Sequence, residues 1–229
     1  MEIPNILLSG ITGSRAYGLA TQDSDTDRLG TFAQPTTVLL GLTAYERSHI
    51  STKPDVTYHE AGKLALLLLA CNPTVTELLW LPDDLHEVRT ALGSDLIAIR
   101  QCFLSAPLVK SAYLGYATQQ FERLQRRCGL MNVDISGTRQ RTAKHARHLL
   151  RLLIQGTELY RTGMLTVALQ DPERCREFGD RVAAGDLDTA RTEIADAGRL
   201  FGASATPLPE YPDTRTAQDW LLSVRAAFW

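Results

Sequence analysis

The first apolar run of the chain, Ile6-Leu7-Leu8, ends in Ser9-Gly10 and Thr12-Gly13-Ser14, which is the pattern of a buried strand delivering a Gly/Ser loop. Residues 15–19 leave room for one or two helical turns. Asp23-Ser24-Asp25-Thr26-Asp27 then sets carboxylates ahead of the β-formers that run to Phe32, predicting a loop that enters a second strand. Val56, Thr57 and Tyr58 have high β-propensity and predict a third strand over 55–59. From Glu60 the pattern changes, because residues 60–70 are rich in Leu and Ala and predict a buried helix. Asn72-Pro73-Thr74 offers a cap with proline in the first turn. Thr74 to Glu77 has capping-box spacing ahead of Leu78-Leu79-Trp80, so a second helix is expected with Glu77 in a capping role. Further helices are expected over 95–103, 107–127, 140–161, 172–183, 187–201 and 217–228. Gly163 would stop the third of these and Asp171-Pro172 would start the fourth. The three prolines within 205–214 predict a surface connection. Strands and loop chemistry come first and helices afterwards, an α+β order with a division near Ser105 into residues 1–105 and a helical region, 106–229.

Composition narrows this picture. With 229 residues, 44% apolar and 22% charged, and no repeat or low-complexity tract, the chain can bury a sizeable core, and disorder is excluded for most of it. The longest apolar run, residues 64–71, is too short to span a bilayer, and the N-terminus lacks a signal pattern. A cytoplasmic protein without a membrane partner is expected. Four cysteines at 71, 102, 128 and 175 show no CxxC or Cys/His ligand spacing, so neither a disulfide framework nor a zinc site is predicted. The formal charge of −2 argues against coating of nucleic acid by the whole surface, while leaving room for a local basic patch.

The chemistry concentrates where Gly13-Ser14 is followed, after ten intervening residues, by Asp25-Thr26-Asp27. A Gly-Ser turn after a strand lets backbone amides and a hydroxyl approach phosphate oxygens, because glycine has no side chain to block them. Side chains alternate along a strand, so Asp25 and Asp27 point to one face. Oxygen-only ligands favour Mg2+, or alternatively Mn2+. Two such ions, about 3.5–4 Å apart, activate an attacking hydroxyl and stabilise a leaving pyrophosphate. A third carboxylate is needed. Asp55, at the start of the neighbouring strand, is the first candidate and Glu60 the reserve; Asp23 is assigned to a turn.

The Gly-Ser and Asp-x-Asp pair resembles the signature of the nucleotidyltransferases of the DNA polymerase beta superfamily. Gly13-Ser14-Arg15-Ala16-Tyr17-Gly18-Leu19 and Ser24-Asp25-Thr26-Asp27 are similar to the branch associated with bacterial and phage RNA repair. So are Asp55-Val56 leading to Tyr58, Asn72-Pro73-Thr74 with Glu77-Leu78-Leu79, and the tract from Lys144-His145 through Arg151 to Thr162-Gly163, and the likeness spans nearly the whole chain. It implies a small mixed β-sheet core flanked by helices, followed by a helical C-terminal region closing over the nucleotide. It also implies transfer of a nucleoside monophosphate from a nucleoside triphosphate to an acceptor. Gly13 and Ser14, with Arg15 beside them, would hold the triphosphate. Asp25 and Asp27 would hold the metals, and Asp55 the metal nearest the attacking hydroxyl. Arg28 departs from the pattern, which usually has an apolar residue after the second aspartate.

Between residues 123 and 151 stand eight Lys/Arg residues against the single acid Asp134. Lys144, Arg147 and Arg151 fall at i, i+3 and i+7, with His148 a turn from its neighbours, so the four share one helical face. That stripe is expected to neutralise the triphosphate first, or to guide an anionic acceptor such as an RNA end. ATP is the default donor. An RNA end is the expected acceptor, with AMP transfer to a protein, as in antitoxins of the superfamily, or a noncatalytic nucleotide- or RNA-binding module as alternatives. His49, His59 and His86 lack ligand-spaced partners and take surface or hydrogen-bonded roles. Tyr17 either stacks on the nucleotide or packs beside the loop, and the three tryptophans belong to core or interface.

Overall fold

The apolar run at the N-terminus becomes the middle of a sheet. In a computed structural model that describes residues 5–22, 24–128 and 135–229 (127, 128 and 135–138 by backbone alone), five strands pair. They are β1 (Ile6–Thr12), β2 (Asp27–Phe32), β3 (Ser48–Thr52), β4 (Asp55–Glu60) and β5 (His86–Arg89), in the order β3-β4-β2-β1-β5. β1 is antiparallel to β2 and β5, β4 is antiparallel to β3, and β2 runs parallel to β4, so the sheet is mixed. β1 is buried on both faces, with Leu7 and Leu8 almost fully covered, which is why its sequence is a continuous apolar run rather than an alternation. Asp23 lies outside the described residues.

Short helices bracket the sheet: α1 (Gly13–Tyr17), α2 (Thr36–Leu40), α3 (Ala61–Leu69), α4 (Pro73–Thr76) and α5 (Ala91–Ala98). Glu60 caps α3 by accepting from the Gly62 N–H at 2.8 Å. α4 is capped by Asn72, whose side chain accepts from the Thr74 N–H, and a tight turn over Glu77–Trp80 follows. This corrects the capping role expected for Glu77: with proline as the first helical residue, the preceding asparagine takes the cap, and Glu77 is left buried. Long helices follow as α6 (Ala106–Cys128), α7 (Ile135–Thr162), α8 (Pro172–Ala183), α9 (Leu187–Ala203) and α10 (Thr214–Ala227). Gly163 ends α7 at φ +70, and Asp171 caps α8 by accepting from the Arg174 N–H.

The chain divides into two compact units, Met1–Ser105 with Pro209–Trp229, and Ala106–Leu208. Residues 209–229 therefore group with the sheet and not with the helical stretch that precedes them in sequence. The apolar stripe of α10, Ala217, Trp220 and Val224, is buried. Trp220 Nε1 donates to the Leu92 carbonyl at 3.0 Å, and Arg225 Nη1 lies 2.5 Å from Glu60 Oε1. The second unit is built around α7, with Tyr113, Leu124, Leu149, Leu150 and Val182 fully or almost fully buried. Among the described residues no single helix is long and apolar enough to cross a membrane. Cys71 and Cys175 are buried free thiols, and desolvation pushes each up to about 11.

Candidate active site

β1 delivers its last residue, Thr12, opposite Asp27 of β2, and the chain turns at once into Gly13. Gly13 has φ +68, a left-handed conformation that any side chain would resist. A Cβ built there would fall 1.8 Å from Asp27 Oδ2. The Asp27 carboxylate therefore lies directly over the Gly13 backbone, and this is the physical content of the spacing between Gly-Ser and Asp-x-Asp. An antiparallel pair returns the second aspartate to the point where the first strand ends.

β2 and β4 run parallel with Arg28 beside Val56, so Asp27 and Asp55, one residue earlier on each strand, stand at the same level. Neighbouring strands are about 4.8 Å apart and in-register residues of a parallel pair share a face. The same register separates the two candidates for the third carboxylate. Glu60 sits at the far end of β4 with the opposite parity, is 4% exposed, and is held by Arg225 and the Gly62 N–H. Asp55 is exposed and level with Asp27. Asp25 is exposed two residues before β2. Among the described residues no group of three or more His, Cys, Asp and Glu side chains is gathered closely enough to hold a metal ion by itself. The donor chemistry, two level carboxylates with a third exposed nearby, fits a hard divalent cation of the kind that takes one or two carboxylates and completes its shell with phosphate oxygens and water.

The surrounding residues hold this frame. Ser14 is half-buried in α1, and Arg15, exposed, donates from Nη2 to the Ser24 carbonyl at 3.0 Å, tying α1 to the loop that carries Asp25. The Tyr17 hydroxyl lies 2.8 Å from both carboxylate oxygens of Glu77, which is 2% exposed. Sequence reasoning missed this pair. Its only signal was a glutamate at a position that packing would make apolar. Arg28 departs from the family pattern because its guanidinium Nε meets Glu87 of β5 at 2.8 Å, across β1.

The expected basic stripe divides in the helical unit. Lys144 is exposed. Arg147 is half-buried, its stem packed on Gly179 and its Nε donating to the Ala143 carbonyl. Arg151 is 2% exposed, donating from Nη1 to Gln155 Oε1 at 2.6 Å, with Nη2 3.0 Å from His148 Nδ1. Gln155 donates in turn to the Val167 carbonyl at 2.9 Å. Burial, reinforced by Arg151, His145, Arg123 and Lys144, pushes His148 down to about 3, so it is neutral at physiological pH and its Nδ1 accepts from Arg151. Two of the four stripe residues are thus built into a buried polar network.

A mixed sheet whose first strand ends in a Gly-Ser turn under the second aspartate of an Asp-x-Asp, with a further aspartate level on the parallel neighbour, defines a nucleotidyltransferase core of the DNA polymerase beta type. A family model described as the RNA repair pathway DNA polymerase beta family matches residues 2–191, and the chain belongs to that family. Among solved structures, a nucleotidyltransferase-like protein from Exiguobacterium sibiricum 255-15 is similar at 12% identity and a TM-score of 0.33, covering 98% of this chain and 75% of that one. No curated protein matches.

Proposed function

We propose that the protein is a metal-dependent nucleotidyltransferase that moves a nucleoside monophosphate from a nucleoside triphosphate, ATP by default, to the hydroxyl of an RNA end, releasing pyrophosphate. The observation that carries this reading is the seating of the Asp27 carboxylate on Gly13, with Asp55 level beside it. Polyphosphate bound at the Gly13-Ser14 turn would meet carboxylates on the adjoining strands, and the membership in an RNA repair family supports an RNA acceptor over a protein one.

In this reading the backbone of Gly13 and the Ser14 hydroxyl hold phosphate oxygens, and Arg15 keeps the loop bearing Asp25 in reach of them. Asp25 and Asp27 would hold Mg2+ or Mn2+ together with the triphosphate, and Asp55 would complete the arrangement on the side of the attacking hydroxyl. When bound, the cations supply charge neutralisation of the transferring phosphoryl group and of the leaving pyrophosphate. Lys144 and Arg147 provide the accessible part of the basic stripe for triphosphate or RNA phosphates. Arg151 and His148 act behind them by fixing α7.

The test is incubation with α-labelled triphosphates, Mg2+ and an RNA with a free 3′ hydroxyl. Label should appear in a product sensitive to nuclease and resistant to protease. Asp27→Asn should lower the rate on the order of a thousandfold, since such a site supplies several kcal/mol of transition-state stabilisation. Unchanged labelling in the Asp25→Asn, Asp27→Asn double variant would sink the mechanism.

A further inference from the structure

A second cluster of reactive side chains lies on the outer side of the sheet unit. β3 and β4 pair with Ser48 opposite His59. The Ser48 hydroxyl is 2.8 Å from His59 Nδ1, and Lys63 Nζ of α3 donates to the same oxygen at 2.5 Å. One hydroxyl therefore sits between an imidazole nitrogen and an ammonium group. His59 is held from behind, because Thr31 Oγ1 donates to its carbonyl at 2.9 Å. Its ring is buried, and that burial, with Lys63 second, pushes it down to about 4. At neutral pH the ring is therefore uncharged, and in the tautomer that carries its proton on Nε2 the Nδ1 lone pair accepts from the Ser48 hydroxyl while a lone pair of Oγ faces Lys63. Ser48 and Lys63 are each only half-buried, and β3 is an edge strand, so the oxygen can be approached from outside.

We propose that Ser48 is an activated nucleophile that accepts a phosphoryl group from a phosphoric-anhydride donor, with His59 and Lys63 as the groups that activate it. In the step, the Oγ–P bond forms while the P–O bond to the leaving phosphate breaks. The leaving group departs with the electron pair, and the Oγ proton passes to His59 Nδ1 and on to water. A phosphoryl donor fits better than an acyl donor because the charge that builds on the phosphoryl oxygens is met by a cation, Lys63. Acyl transfer would instead call for a pair of backbone amides aimed at the developing oxyanion. Ser48 is distinct from the Asp27 and Asp55 site: His59 lies four residues along β4 from Asp55, about 13 Å at the rise of a strand.

The test treats the intact protein with a fluorophosphonate, a phosphorus electrophile whose fluoride leaves without help from a metal or a nucleotide, and maps the adducts by peptide mass spectrometry. Ser48 should be labelled at least tenfold faster than the exposed Ser223 in the same digest, and Lys63→Met should slow it several-fold with the thermal midpoint of the sheet unit followed in parallel. Asp27→Asn should label like the unaltered protein, so that failure of nucleotidyl transfer and failure of this inference are separable. Labelling of Ser48 no faster than that of Ser223 in the unaltered protein would overturn the proposal, whatever the variants do.

Discussion

At the residue scale, Gly13 and Tyr17 hold the two ends of the same short helix. Gly13→Ala forces a Cβ into Asp27 and a left-handed backbone onto a residue that resists it. The backbone term alone is about 1–2 kcal/mol. Displacement of the Asp27 carboxylate should cost transfer activity far more, so the variant is expected to remain folded by circular dichroism while its product yield falls below detection. Tyr17→Phe removes the hydroxyl that meets the buried Glu77 carboxylate. A loss of about 1–3 kcal/mol is expected in a urea titration, with a rise in KM for the triphosphate that exceeds any fall in kcat, because α1 would loosen without losing a carboxylate. The Gly-Ser turn and the Asp-x-Asp spacing were legible in the sequence because backbone sterics and short-range spacing are local rules, whereas strand alternation does not reach Asp25, which lies before β2. Glu77 was misassigned because a capping box and a buried carboxylate look alike until the partner, sixty residues away, is in place.

At the scale of elements, two polar links stand out. Arg225 on α10 and Glu60 at the start of α3 form a largely buried pair. Arg225→Met leaves the carboxylate uncompensated and should cost about 3 kcal/mol, read as a fall in the urea midpoint of the sheet unit. The network of His148, Arg151 and Gln155 has a pH signature. His148 titrates near 6.5 when unfolded and near 3 when folded, so below pH 6.5 the unfolded chain binds a proton that the folded chain does not. The stability contributed by neutral His148 is complete above that point and is lost as the pH falls toward 3, at about 1.4 kcal/mol per pH unit across the window. His148→Gln, which keeps an acceptor for Arg151, should flatten this part of the dependence, and urea midpoints at pH 7 and 4.5 compare the two. Strands β3 and β5 escaped the sequence reading because they are short edges with little apolar alternation. The central strands and the long helices were legible from their apolar patterns and caps.

At the scale of the whole molecule, the sheet unit is discontinuous and is completed by the last 21 residues. A chain ending at Leu208 is expected to lose the cover that Trp220 and Val224 give the sheet unit. In limited proteolysis it should be cut within residues 1–105 while 106–208 stays resistant. The amino-acid sequence by itself determined the Gly-Ser turn, the Asp-x-Asp spacing, the long helices of the second half and the family. These are encoded in local spacing, and local spacing survives without knowledge of distant contacts. Only the tertiary structure decided that α10 belongs with the sheet, that Arg151 and His148 face inward, that Asp55 and not Glu60 stands level with Asp27, and that Ser48 lies between His59 and Lys63. Each of these depends on strand register or on which face of a helix finds an apolar partner, and long-range packing fixes both.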